Sequence, residues 1–423
     1  MESIVTKLFS FIKRNSIFKL LSFLPKQLVY LEVQKIKLKT LFKRCIYFRT
    51  NFSKPDTKIV KIINESEDFH NLLGAISPYG DQIAIADSLE RIKIYGVNPV
   101  NTNTFKKELV NIKAHSEVIN SIQYSLDGKY LLSSSKDSTV NLYYISDNCC
   151  NKYKDKEDTK SPSIGTILYT IKDHIDNVFC AAFSPLDNFI GSVGLNGYLY
   201  IHKFIRNESS SNNSNIGNTC NNSNKEDIGN TNNTSNIGNI VNSSKNNNEI
   251  TIQLEEYLFL NLKDPLFSIS FSSNEKLFAA GSEYSKCIIY GFDKLNKTTY
   301  GKQVLSLVGK YAYFSSNGEY FSSGKFIYSI NKYDINYGKK LFTIDTNEEI
   351  TDKCFSNSSD NIVIGLSNSN LIFYGLNPLK KNTYGKVFRE IHNPDKSIVS
   401  VGYSLGDDKI ICCSKSNTTI IYG

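Results

Sequence analysis

Between residues 113 and 145 the chain reads KAHSEVINSIQYSLDGKYLLSSSKDSTVNLYYI. Apolar side chains alternate through VINSIQYS. A polar turn, LDGK, leads into YLLSSS; a second turn, KDS, leads into TVNLYYI. Alternation with period two, bounded by Asp, Gly and Ser, is the pattern of strands joined by tight turns. The stretch predicts three antiparallel strands.

The same module returns along the chain with a spacing of about 40–50 residues. Copies run over 72–96, 113–145, 173–204, 265–291, 310–335, 349–375 and 397–423, the fifth being the most degenerate. A second repeat supports this count. Third strands end in Tyr-Gly at Tyr95-Gly96, Tyr290-Gly291, Tyr374-Gly375 and Tyr422-Gly423. Three of these run into related linkers, VNPVNTNTFKKELVNI from 97, FDKLNKTTYGKQVLSL from 292 and LNPLKKNTYGKVFREI from 376. Each linker starts polar and becomes apolar, which predicts a fourth, outer strand.

The last copy stops at its third strand. The apolar run KIVKII at 58–63 precedes the first copy and can supply the missing outer strand, joining the two ends and covering an exposed sheet edge. Two polar tracts interrupt the pattern between third and fourth strands: 146–163 in the second copy and 206–249 in the third. In the latter, 17 of 44 residues are Asn, too polar a tract to bury a core, so it predicts a disordered loop.

Charge changes the picture only at the start. Residues 1–50 hold 11 Lys/Arg against 2 Asp/Glu, while the remainder holds 38 against 39. The repeat region is therefore near neutral, and bulk charge does not mark it as a nucleic-acid binder. In the leader, apolar residues such as Ile4, Val5, Leu8, Phe9 and Ile12 fall at helical spacing, interrupted by Lys7, Lys13 and Arg14. This predicts a basic amphipathic helix without the uncharged length needed to span a bilayer. Three readings stay open for it: an extension packed on the body, an organelle presequence, or a helix on an anionic membrane surface.

Nine Cys occur with no CxxC, and Cys149-Cys150 and Cys412-Cys413 are adjacent pairs, which suits neither zinc spacing nor an ordinary disulfide. The thiols are expected to be reduced and no metal or cofactor is expected. Phosphate loops, GxSxG and HExxH are absent from the sequence. The pair Asp407-Asp408 falls in a turn and is expected to be solvated.

The stretch 113–145 resembles a WD40 repeat, through Ala114-His115, the Ser-Leu-Asp-Gly turn at 125–128 and Lys136-Asp137, with Tyr143-Tyr144 where that family usually has Trp-Asp. The resemblance implies an all-β, seven-bladed WD40-like β-propeller over 57–423, with a basic, helical N-terminal extension over 1–56. It also implies a hydrogen-bonded set pinning each repeat. In the second copy this would be His115, Ser133, Asp137 and Tyr143. In the third it would be His174 and Ser192, with Asn196 for Asp and His202 for Trp. The family's partners dock on the top face, which carries over to Ser116, Glu117 and Lys136 of copy two and Ile175, Asp176 and Leu195 of copy three.

The expected function is a non-enzymatic protein-interaction scaffold, one subunit of a larger assembly, binding proteins or peptides and no small-molecule substrate. Two alternatives use residues 1–50: an adaptor anchored on an anionic membrane, or a propeller associated with RNA or the ribosome. The expected location is cytoplasmic, with organelle or nuclear alternatives.

Overall fold

A computed structural model describes residues 59–64 (backbone only), 73–97, 107–145, 162–207, 251–284, 286–331, 337–392, 397–415 and 418–422. The expected N-terminal helix and nearly all of both polar insertions lie outside the described residues. Every described residue belongs to the compact unit Lys54–Gly423. Its elements are strands.

The chain starts with β1 (Ile59–Asn64). Blade one follows as β2 (Leu73–Ile76), β3 (Gln82–Ala86), β4 (Arg91–Gly96) and β5 (Glu108–Lys113). Blade two is β6 (Ile119–Tyr124), β7 (Tyr130–Ser135), β8 (Val140–Tyr144) and β9 (Ile167–Ile171). Blade three is β10 (Val178–Phe183), β11 (Phe189–Gly194), β12 (Tyr198–Asn207) and β13 (Thr251–Asn261). Blade four is β14 (Leu266–Phe271), β15 (Leu277–Ser282), β16 (Lys286–Gly291) and β17 (Gln303–Val308). Blade five is β18 (Tyr313–Phe314), β19 (Tyr320–Ser323), β20 (Phe326–Ser329) and β21 (Lys340–Thr343). Blade six is β22 (Ile350–Phe355), β23 (Asn361–Leu366), β24 (Asn370–Gly375) and β25 (Val387–His392). Blade seven is β26 (Ile398–Tyr403), β27 (Ile410–Ser414) and β28 (Thr418–Tyr422), completed by β1.

These make seven four-stranded antiparallel sheets. Strand β1 pairs with β28 through Lys61↔Ile421, Ile62↔Ile420, Ile63↔Thr419 and Asn64↔Thr418. The run before the first copy thus supplies the outer strand that the last copy lacks. Blade five is the weakest copy in structure as in sequence, since its inner strand has only two residues.

Burial explains why the strands differ in composition. In β7 and β8 every residue is buried, because second and third strands lie between neighbouring blades. The outer strand β5 is half exposed and alternates. The described residues form seven apolar clusters, each spanning one blade-to-blade interface. Blades one and two, for example, share Ala84, Ile92, Ile94, Tyr124, Leu131 and Tyr143, and blades seven and one share Ile411, Cys413, Ile421, Ile76, Ile83 and Ile85. A single blade cannot bury both of its faces, so burial favours the closed ring.

Two devices repeat around the ring. First, each turn from first to second strand begins at a buried serine: Ser77, Ser125, Ser184, Ser272, Ser315, Ser356 and Ser404. Each hydroxyl accepts the amide five residues on, at 2.9 to 3.2 Å. Second, the residue three positions after that serine has positive φ in all seven turns. It is Gly80, Gly128 and Gly318 in three blades, and Asp187, Glu275, Ser359 and Asp407 in the others. A left-handed backbone costs a non-glycine residue about 1–2 kcal/mol. All four of these side chains reach back to cap the turn of the preceding blade. Asp407 accepts the amides of Asn357 (2.6 Å) and Ser358 (2.8 Å), so it is a half-buried inter-blade cap rather than the solvated turn residue that its sequence context suggests.

Candidate functional site: the top face and its hydrogen-bonded frame

In blade two the entry loop before β6 and the turn between β7 and β8 are tied together by side chains. His115 Nε2 lies 2.6 Å from Ser133 Oγ, and its Nδ1 lies 2.9 Å from Asp137 Oδ2. Asp137 also accepts the Ser116 amide (3.0 Å) and both the amide and hydroxyl of Thr139 (3.1 and 2.6 Å). The Tyr143 hydroxyl donates to the Ala114 carbonyl at 2.9 Å, joined there by Asn141 Nδ2 at 2.9 Å. Tyr143 thus anchors the entry loop from the third strand.

The electrostatics follow from burial. Desolvation lowers the pKa of His115, only partly offset by the Asp137 charge. For Asp137, burial acts upward, but the hydrogen bonds from Thr139 and Ser116 and the attraction of His115 outweigh it, and the net pKa lies below the ordinary value. Every named group in this set has a partner inside the blade.

Blade three holds an incomplete version. His174 Nε2 meets Ser192 Oγ at 2.9 Å, but its Nδ1 is buried without a partner, and so is Asn196 Nδ2. Asn196 Oδ1 is used by the Tyr198 amide. His202 pairs instead with Asp173, at 2.9 Å from Nε2 to Oδ2, a contact that the sequence does not signal. Burial pulls the His174 pKa down to about 4. Among the described residues, no three His, Cys, Asp or Glu side chains converge as a metal site.

Around this frame lies the rim. Glu117 and Lys136 form an exposed ion pair at 3.0 Å. Ser116 is exposed beside them, its amide held by Asp137. In blade three, Ile175 is 75% exposed and Leu195 is 39% exposed, while Asp176 accepts the Asn177 amide. Asn120 links the two blades at this face, donating to Asn177 Oδ1 (2.6 Å) and the Val178 carbonyl (2.9 Å). Three exposed apolar residues that the sequence reading missed extend the rim: Leu89 in blade one, Val118 in blade two and Tyr284 in blade four. They stand out only once their turns are seen to share one face.

The family model described as "WD domain, G-beta repeat" matches residues 106–143 and 165–203. These two stretches are WD40 repeats. The matched residues cover the outer strand of blade one, nearly all of blade two and most of the first three strands of blade three, where the His115 and His174 sets lie.

Curated proteins are similar to this chain over about a third of its length or less. "WD repeat and SOCS box-containing protein 1" of Xenopus tropicalis is 29% identical over 117 residues, 27% of this chain and 22% of that protein. The protein of the same name from Danio rerio is 27% identical over 117 residues. "Protein hir-1" of Neurospora crassa is 22% identical over 144 residues, 32% of this chain and 14% of its own length. The matches thus span less than a quarter of the length of these curated relatives.

Within the WD40 ring the departures are local. Trp is absent from the chain. The third-strand position before or at a bulge in the outer pairing is held by Tyr95, Tyr143, Tyr290, Tyr328 and Tyr374, with His202 in blade three.

Proposed function

We propose that this chain is a non-enzymatic protein-interaction scaffold that holds protein or peptide partners on its top face as one subunit of a larger assembly. The observation that carries this reading is the set of exposed apolar side chains on that face, Leu89, Val118, Ile175, Leu195 and Tyr284, mounted on loops that side-chain and backbone hydrogen bonds hold in place. An aromatic or aliphatic anchor on a rigid mount loses little entropy on binding, and a few such anchors carry most of an interface's energy. The mixed rim, with the Glu117–Lys136 pair beside apolar anchors, suits a peptide that presents both apolar and charged groups. The SOCS-box relatives and the WD40 fold support the same reading by likeness.

The test is affinity capture with mass spectrometry on the full chain and on an Ile175→Asp/Tyr284→Asp variant. Both sites are exposed, so the thermal midpoint should stay unchanged. The expected result is a defined set of proteins that the variant no longer retains. Retention of the same set by the variant would place the binding surface elsewhere. Loss of that set only on removing residues 1–50 would assign the binding to the leader.

A further inference from the structure

Antiparallel alternation puts the first-to-second and third-to-fourth connections of every blade on the face opposite the docking rim. Two of these connections share a form, DKLNKTTYGK in blade four and NPLKKNTYGK in blade six. Each is fixed at its base. The amides of Gly301 and Gly385 donate to the carbonyls of Gly291 and Gly375 at 2.9 Å, and both Gly301 and Gly385 have positive φ, +66° and +67°. Each loop is also closed by an amide bond from its Tyr, Tyr300 to Asn296 and Tyr384 to Lys380, at 2.9 and 3.0 Å.

At the tip of each rigid turn stands a leucine, Leu295 at 93% exposure and Leu379 at 90%, the two most exposed large apolar side chains among the described residues. Each loop also carries exposed lysines, Lys297 and Lys302 in one and Lys381 and Lys386 in the other. Lys294 is turned aside, its Nζ 3.7 Å from the Tyr257 ring centre, and Lys380 pairs with Asp360 at 2.6 Å. The single acid within the two loops is Asp293. Where the second loop enters β25, Val387 and Phe388 are 43% and 45% exposed.

We propose that this bottom face docks peripherally on an anionic lipid bilayer, with Leu295 and Leu379 entering the headgroup–acyl boundary and the flanking lysines meeting anionic headgroups. One exposed leucine is ordinary. Two on like mounts, on one face, each in a loop with exposed lysines, match what an interface binder needs: apolar tips for the acyl boundary and lysines that keep their charge in the headgroup layer. The tips lie on blades four and six, with all of blade five between them. That separation suits a broad deformable surface, which each tip enters independently. A folded protein partner would have to offer two complementary pockets at a fixed spacing.

The chain contains no Trp, so a single Trp at either tip is a clean reporter. In the full chain, Leu295→Trp and Leu379→Trp should each show blue-shifted emission, quenched by brominated acyl chains, on phosphatidylcholine vesicles containing phosphatidylserine. Pure phosphatidylcholine should give much less, and soluble inositol hexakisphosphate should give none. Ile175→Trp on the opposite face should not shift. In parallel, Leu295→Ser/Leu379→Ser should weaken partitioning to the anionic vesicles by about tenfold or more while the thermal midpoint stays put. Tips that keep the emission of exposed Trp on anionic vesicles would overturn the proposal, whether or not the chain binds through another part. So would a shift at Ile175→Trp alone, or partitioning unchanged by the double serine variant. Failure here leaves the top-face scaffold reading intact, since that rests on other residues.

Discussion

The carboxylate of Asp187, in blade three, accepts the amide of Leu126, in blade two, at 3.0 Å, from a backbone position with φ of +53°. Sixty-one residues separate the two in sequence. Glycine holds the same turn position at Gly80, Gly128 and Gly318, where no side chain is available to reach back. The strain of a non-glycine residue there is offset by an inter-blade hydrogen bond.

That cap titrates. Burial, and then the charge of Asp127, hold the Asp187 carboxyl up at about 7, against an ordinary value of 3.8. An acid whose pKa is higher in the folded state binds its proton more tightly when folded. Its contribution is therefore complete below pH 3.8 and is lost as pH rises to about 7. Asp187→Asn removes the titration and keeps an acceptor for Leu126. The stability of the wild type relative to this variant should fall between pH 4 and pH 7 and then level off. Urea denaturation across that range measures it, and a difference independent of pH would show that Asp187 is ionised throughout.

Blade three lacks one partner that blade two possesses. Asn196→Asp places a carboxylate beside the orphaned His174 Nδ1, as Asp137 stands beside His115. The expected gain is about 1 kcal/mol in unfolding free energy near neutral pH. The His174 pKa should rise from its depressed value of about 4, read by NMR titration of the imidazole. No rise would mean that the new carboxylate does not reach Nδ1.

Truncation should show the same asymmetry. Asp137→Ala strands the Ser116 and Thr139 amides and leaves His115 Nδ1 only the Thr139 hydroxyl, 3.1 Å away, whereas Asn196→Ala removes only the bond to the Tyr198 amide. The first should cost about 2 kcal/mol more than the second. Equal denaturation midpoints for the two variants would show that the blade-two set is worth no more than its parts.

The Tyr-Gly ends carry a steric requirement. A Cβ on Gly291 would collide with the Thr299 carbonyl, and one on Gly375 with the Thr383 carbonyl, both backbone atoms of the following loop. Gly291→Ala and Gly375→Ala should each cost about 2–3 kcal/mol. Blade two has Tyr144 at this position, followed by a different connection that accommodates a buried side chain. Thermal midpoints of the two glycine variants test the requirement.

The amino-acid sequence alone determined the strands, their grouping in fours and the closure of the ring by residues 58–63. Those features depend on local alternation, on turn residues and on a module repeated often enough to count. It also named His115, Ser133, Asp137, His174 and Ser192, because a resemblance marks their places within one repeat. The tertiary structure alone decided what each blade does to its neighbour. Asp407 looks like a solvated turn acid until blade six brings the amides of Asn357 and Ser358 to it. The orphaned Nδ1 of His174, the Asp173–His202 pair and the shared face of Ile175 and Tyr284 are likewise invisible in one dimension. Hydrophobic period is set by each residue's own strand, whereas capping, partner loss and exposure are set by atoms that folding brings in from other blades, far away along the chain.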